Sequence, residues 1–217
     1  MSRALVVLRP EPGNAATVAA IEALGRAAIP LPLFRVVPLA WDVPGGAHDA
    51  LILTSANGVR HAGAGLAALR HLPVHAVGAA TAAAARAAGL NVAATGSSDG
   101  RALLDAAQAH GVRRALLLTA RDRAVAGHPV VADAVAVYAA ETIAKVDAAC
   151  LRASVALVHS PRAAARLAAL VTERADVAVA AISEAAAGAL GDGWRAVAVA
   201  ARPDDAGVIA AGCTLAD

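Results

Sequence analysis

Thr54-Ser55-Ala56-Asn57 stands where a short apolar run gives way to a helix-like stretch. A serine at that junction caps a helix, with Asn57 in the first turn. The unpaired N–H groups of a first turn carry partial positive charge and suit a carboxylate or phosphate. The same arrangement recurs at Ser160-Pro161, where proline fits the first helical position. Plain capping explains either one alone, whereas two copies facing a shared cleft at strand carboxyl ends make a ligand site. Gly78-Ala79-Ala80-Thr81 is another strand-to-helix turn, with the Thr81 hydroxyl near the helix start. Its glycine can equally just relieve crowding at a tight turn. Tyr138, the only tyrosine, can donate or accept a proton or pack as a half-buried ring.

Other chemistry-bearing patterns fail on context. Gly63-Ala64-Gly65-Leu66-Ala67-Ala68 has the spacing of a dinucleotide turn, but the preceding strand-like run ends near Leu53. The glycines therefore fall late in the following helix rather than in the turn itself, and no nucleotide site is expected. Lys145 is the only lysine, so a lysine-bearing phosphate loop is missing too. His71 and His75 have Pro73 between them, which argues against a shared helical face and for structural or exposed histidines. Cys150 and Cys213 cannot build a disulfide framework, and no Cys/His spacing suits zinc, so no metal is expected. Every other basic residue is arginine, whose planar fork suits carboxylates, although a GC-rich coding sequence also favours Arg and Ala together.

The elements that must position these residues alternate. Strand-like runs are Ala4–Leu8, Leu33–Leu39, Ala50–Leu53, Val74–Val77, Asn91–Ala94, Ala115–Leu118, Ala134–Tyr138, Val155–Val158, Val177–Ile182 and Ala196–Ala200. Helix-like stretches are Asn14–Arg26, Ala56–Leu69, Ala79–Ala88, Gly100–His110, Arg162–Arg174 and Glu184–Leu190. Apolar strands separated by helices predict parallel sheets covered on both faces, an α/β fold.

An internal repeat organises them. Ser55 pairs with Ser160 and Gly78 with Ser183, each 105 positions apart, and strands and helices follow in the same order. Two similar domains of flavodoxin-like or Rossmann-like type are expected. A further echo links Arg3-Ala4-Leu5 with Arg114-Ala115-Leu116. One copy opens the chain while the other follows the first repeat, so the N-terminal strand must complete the domain of the C-terminal half. The first domain is then discontinuous, residues 1–34 plus 143–217, with residues 39–136 inserted as the second. The linkers, 35–38 and 137–142, lie in the two crossing segments near Leu33–Leu39 and Val135–Thr142, which are strand-like and could pair as a two-stranded connector. A simple tandem arrangement is the alternative.

Bulk properties bound the function classes. With 217 residues, 59% hydrophobic, the chain can bury a substantial core. A mean hydropathy of +0.60 owes much to alanine. Arg86, His159, Arg162, Arg166, Glu184 and Arg195 interrupt the apolar stretches, leaving none of the ~20 residues that spanning a bilayer takes. Met1–Arg9 is too short for a secretory signal, so a soluble, cytoplasmic protein is expected. A net charge of +2 without a polybasic stripe points away from nucleic acid.

Taken together, the motifs resemble the uroporphyrinogen-III synthase family over essentially the whole chain. The resemblance is carried by Leu8-Arg9-Pro10, the Pro32–Pro38 segment, Asp49 through Val59, Ala76-Val77-Gly78-Ala79-Ala80-Thr81-Ala82 with Ala88-Gly89-Leu90, Val137-Tyr138, and His159-Ser160-Pro161-Arg162-Ala163, in the family's order. It implies two α/β domains joined by a two-stranded ladder, an active site in the cleft, and hydroxymethylbilane as substrate. It also implies a cyclising lyase that needs no metal or organic cofactor. By the same resemblance Tyr138 assists departure of the substrate hydroxyl, and Arg9, Ser55, Asn57, Gly78, Thr81, Ser160 and Ser183 bind the substrate. The enzyme is expected to act as a monomer, without nucleic acid or membrane partners. In the second repeat Ser183-Glu184-Ala185-Ala186 lacks the threonine of the first. The alternative is a non-catalytic, two-lobed α/β homologue that binds a small molecule.

Overall fold

A computed structural model of the chain describes residues 2–96, 100–122 and 127–217. In chain order its elements begin β1 (Leu5–Val7), α1 (Gly13–Ala23), β2 (Ala28–Pro30), β3 (Phe34–Pro38), β4 (Ala50–Leu53), α2 (Ala56–His61), β5 (Val74–Val77), α3 (Gly78–Ala87) and β6 (Val92–Gly96). They continue with α4 (Gly100–Ala109), β7 (Ala115–Ala120), β8 (Val131–Thr142), β9 (Val155–Val158), α5 (Pro161–Leu170), β10 (Ala178–Ala181), α6 (Glu184–Gly188), β11 (Ala196–Val199) and α7 (Asp205–Ala216). The chain divides into two compact units, Met1–Arg35 with Thr142–Asp217, and Val36–Glu141.

The first unit is built on a five-stranded sheet in the order β11-β10-β9-β1-β2, every pair parallel. The N-terminal strand thus completes the sheet of the C-terminal half, with Leu5 opposite Val155 and Val7 opposite Leu157. The fold is α/β with a discontinuous first domain, as the repeat order predicts. Leu5, Val7, Val155, Leu157, Ala178 and Ala180 pack on one face against Ile21 of α1 and Val208, Ile209 and Ala216 of α7. Helices α5 and α6 pack against β9 and β10. Gly212 lets α7 lie low on this sheet: a Cβ there would sit 2.6 Å from a Leu157 methyl.

The second unit carries a six-stranded sheet, β3-β8-β7-β4-β5-β6. Its strands β4 to β8 pair in parallel. Leu39 N–H donates to the Val137 carbonyl and Ile143 N–H to that of Leu33, so β3 runs antiparallel to β8. The chain passes between units at these two neighbouring strands, which continue the sheet rather than forming a separate ribbon. Alternation along β4 serves both faces of the sheet. Leu51 and Leu53 join the cluster with Val59, Leu66 and Ala82, and Ala50 and Ile52 join Leu103, Leu104 and Ala107 of α4. Each such aliphatic side chain, fully buried, contributes roughly 1.5–3 kcal/mol.

Superposing the strand orders explains the repeat. Strands β9, β10 and β11 stand where β4, β5 and β6 do, and β1 and β2 stand where β7 and β8 do. Several elements depart from the sequence expectation. The helix expected over Ala56–Leu69 breaks at Ala62, because Gly63 takes φ +60 and the chain continues as a 3-10 segment to Leu69. Strand β8 is far longer than Ala134–Tyr138, whereas β2 and α7 were not expected at all. The helices expected over Asn14–Arg26 and Arg162–Arg174 stop at Ala23 and Leu170.

Candidate active site

In each unit the candidate residues cluster at carboxyl ends of strands. In the second unit β4 delivers Ser55, whose Oγ accepts the Asn57 N–H at 3.2 Å and caps α2. Asn57 Oδ1 in turn accepts from Arg60 Nη1 at 3.2 Å. The adjacent strand β5 runs straight into α3 at Gly78, and α2 and α3 pack together. Gly78 has φ +73, and nothing lies within 4 Å of where its Cβ would be. The glycine is there for backbone conformation, not to relieve crowding. No side chain caps α3, so its first-turn N–H groups are left for another acceptor. Thr81, one turn in, is only 5% exposed.

Tyr138 lies late in β8 and is 8% exposed, in the cluster with Val59, Ala62 and Val137. Its carbonyl accepts the Arg121 N–H at 2.9 Å, while its hydroxyl meets no hydrogen-bond partner among the described residues and is not a buried orphan. The His61 ring, at the end of α2, lies 6.0 Å from the tyrosine ring at a 35° tilt. Burial, helped by the charge of Arg60, holds the His61 pKa below its ordinary value, so this neighbour is neutral at pH 7. His61 escaped sequence reasoning, because a histidine at a helix end carries no signal of what packs against it.

In the first unit β9 delivers Ser160, whose Oγ accepts the Ala163 N–H at 3.1 Å and caps α5. Ser183 caps α6 in the same way, accepting from Ala186 N–H at 3.3 Å. A capping serine spends a lone pair on the helix and keeps its own O–H proton to donate. Ser55, Ser160 and Ser183 are all partly exposed, as a donor to an incoming carboxylate must be. Ala186, at the position of the first repeat's threonine, is fully buried.

Arg9 follows β1 and is already engaged. Its Nη1 lies 3.0 Å from Asp205 Oδ1, at the start of α7. Thr17 Oγ1 lies 2.8 and 2.9 Å from the two carboxylate oxygens, and His159 Nε2 is 2.8 Å from Oδ1. Burial opposes ionisation of Asp205. The hydrogen bonds from His159 and Thr17, with the charge of Arg9, outweigh it and hold the pKa below its ordinary value. Beside them, Asn14 is fully buried and donates to the Val7 and Arg9 carbonyls at 2.8 and 2.9 Å. Sequence reasoning missed Thr17, Asp205 and Asn14 as polar partners. One signal was available: the 105-residue offset that pairs Ser55 with Ser160 also pairs Gly100, the start of α4, with Asp205, the start of α7.

The structure therefore brings Ser55, Asn57 and Gly78 to helix starts at adjacent strands of one unit, and Arg9 and Ser160 to adjacent strands of the other. In the first unit, β1 and β9 flank the point where strand order reverses, where doubly wound sheets bind ligands. The corresponding strands in the second unit are β7 and β4. Hydroxyl donors, an arginine and helix N-termini are chemistry for holding carboxylates. Among the described residues no group of three His, Cys, Asp or Glu could hold a metal ion, and no helix is long and apolar enough to cross a membrane.

A family model described as uroporphyrinogen-III synthase HemD matches residues 15–210. Among solved structures, the chain is similar to uroporphyrinogen-III synthetase from Helicobacter pylori, at 15% identity and a TM-score of 0.68, covering 98% of this chain and 99% of that one. It is also similar to a mutant uroporphyrinogen III synthase from the extremely thermophilic bacterium Thermus thermophilus, at 18% identity and a TM-score of 0.53, covering 99% and 98%. These structural likenesses speak for the fold. No curated protein sequence gives a significant match.

Proposed function

Because the chain belongs to the uroporphyrinogen-III synthase family, we propose that it is a cyclising lyase of haem biosynthesis, closing hydroxymethylbilane to uroporphyrinogen III. The observation that carries this reading is the family match over residues 15–210, on a fold with two mostly parallel sheets. The substrate is a flexible chain of four pyrroles bearing carboxylates. Its terminal hydroxyl leaves with a proton as water, giving an azafulvene. The substituted carbon of ring D attacks that centre, forming a spiro intermediate. Fragmentation and reclosure invert ring D. Free substrate cyclises without inversion, so the enzyme's main task is to hold the chain in one geometry.

The residues suit that task. The Tyr138 hydroxyl, unpaired among the described residues, can donate to the departing hydroxyl. Ser55 and Ser160 offer O–H donors at capped helix starts, and Gly78 opens an uncapped one. Ser183 offers a third capping hydroxyl, Asn57 an amide and Arg9 a guanidinium. Thr81, buried one turn into α3, contributes its hydroxyl only if that side of the helix meets the substrate. On this reading the enzyme works as a monomer in the cytoplasm and uses no metal or organic cofactor. A net charge of +2 offers no polybasic surface to nucleic acid.

Purified protein incubated with hydroxymethylbilane and EDTA is expected to give mainly the inverted isomer, identified by chromatography after oxidation. Only the uninverted isomer, formed at the rate of free substrate, would favour a non-catalytic binding homologue. Sedimentation of the same sample tests the monomer.

A further inference from the structure

Arg9 is held from two sides in a way that leaves half of its fork unused. On one side its Nη1 meets Asp205 at 3.0 Å and Thr17 Oγ1 at 3.4 Å. Asp205 is itself fixed by His159 Nε2 at 2.8 Å and by the Thr17 hydroxyl, so the carboxylate is an anchor and not a loose surface partner. On the other side lies Gly13, the first residue of α1. A Cβ at Gly13 would sit 2.5 Å from Arg9 Nε, 2.7 Å from Cζ and 2.8 Å from Nη2. Those near-equal distances put the guanidinium face, rather than its tip, over the bare backbone. Nε and Nη2 meet no acceptor among the described residues, and the side chain is one-third exposed. The free Nε–Nη2 edge is the one that grips a carboxylate through two parallel hydrogen bonds.

We propose that Asp205 and Gly13 are positioning residues that aim this free edge of Arg9 at one carboxylate of the substrate. The inference rests on the functional reading above, which supplies the carboxylate. A guanidinium already ordered by an ion pair and a stacking surface loses little freedom on binding, so the contact yields more affinity than a free arginine would. The location fits, since Arg9 follows β1 where strand order reverses in its sheet. His159 adds a link, because its bond to Asp205 ties the turn that carries Ser160 to the same anchor.

The test uses the full chain, hydroxymethylbilane, and the variants Gly13→Ala, Asp205→Asn and Arg9→Ala. Alanine at Gly13 favours the helix, and the three atoms nearest its Cβ all belong to the Arg9 guanidinium, so the substitution displaces that group without changing a charge, with the melting temperature reporting that the variant folds. Gly13→Ala and Asp205→Asn should each raise KM about tenfold and leave kcat within about twofold, the signature of lost uniform binding. In the Arg9→Ala background, Gly13→Ala should add nothing, because its effect runs through the side chain already removed. A role confined to stability would instead lower the melting temperature and leave KM alone. Wild-type KM in Gly13→Ala, or an undiminished effect of that change without Arg9, overturns the inference while the functional reading stands. A wild type that makes none of the inverted isomer overturns both.

Discussion

The ring of Tyr138 packs 6.0 Å from that of His61 at a 35° tilt, while the tyrosine hydroxyl has no hydrogen-bond partner among the described residues. The ring is held by packing while the hydroxyl is left unengaged, so the two can be tested separately. Tyr138→Phe keeps the ring, so stability should change by less than about 1 kcal/mol. The rate should fall about tenfold to a hundredfold, the low end of general-acid assistance, because the substrate also loses its hydroxyl unaided. The residual product should still be mainly the inverted isomer. Turnover and melting temperature measured together decide it, and an unchanged rate in a folded variant would reduce Tyr138 to packing.

The Asp205 carboxylate makes stability depend on pH. Its pKa is depressed in the folded state, so its contribution is complete above the ordinary value of 3.8 and is lost as pH falls through the lower folded value. Asp205→Asn should cost about 1–2 kcal/mol at neutral pH, a figure kept modest by the one-third exposure of the carboxylate. The gap between wild type and variant should close below pH 3.8, as read by urea unfolding at several pH values. A gap that stays constant into acid would show that the charge does not matter.

Arg174 ties two helix ends with one guanidinium. Its Nη2 donates to the Ala168 carbonyl at 2.8 Å, near the end of α5, and its Nη1 to those of Leu190 and Asp192 at 3.3 and 2.9 Å, just after α6. The same group lies 5.1 Å from the centre of the Trp194 ring. Lysine has no fork to span these carbonyls. Arg174→Lys should lower stability by about 2 kcal/mol, seen in thermal unfolding, with KM unchanged well below the transition.

The two units invite a fragment experiment. We propose that residues 36–141 fold alone, since strands β4 to β7, nearly all of β8 and helices α2 to α4 lie within them. Residues 1–35 alone should not, because β1 finds its partner β9 in the C-terminal half. Cooperative urea unfolding of the first fragment and its absence in the second is the expected pair of results. Failure of the 36–141 fragment to unfold cooperatively would mean that it depends on the other unit.

The fold class, the repeat and the central strands could be read from the amino-acid order alone. Ala50–Leu53 and Val155–Val158 are strands to the residue, because a strand covered on both faces must be apolar throughout and shows its ends plainly, and Val74–Val77 is one too despite the buried His75 within it. The capping serines were legible for a similar reason, since a cap bonds to backbone two or three residues away. Helix α7 was not legible from its own residues, only from the 105-residue offset to α4. It is apolar nearly all round, and what seats it is Gly212 meeting Leu157 and Leu5, contacts remote in sequence. Strand β2 is three residues at a sheet edge ending in proline, too short for a pattern. The anchor of Arg9 was beyond the sequence too. Arg9, Thr17, His159 and Asp205 each read alone as ordinary polar residues, and hydrogen bonds act over about 3 Å. Only the tertiary structure made them neighbours, by pairing β1 with β9 and laying α1 and α7 on one face of the same sheet.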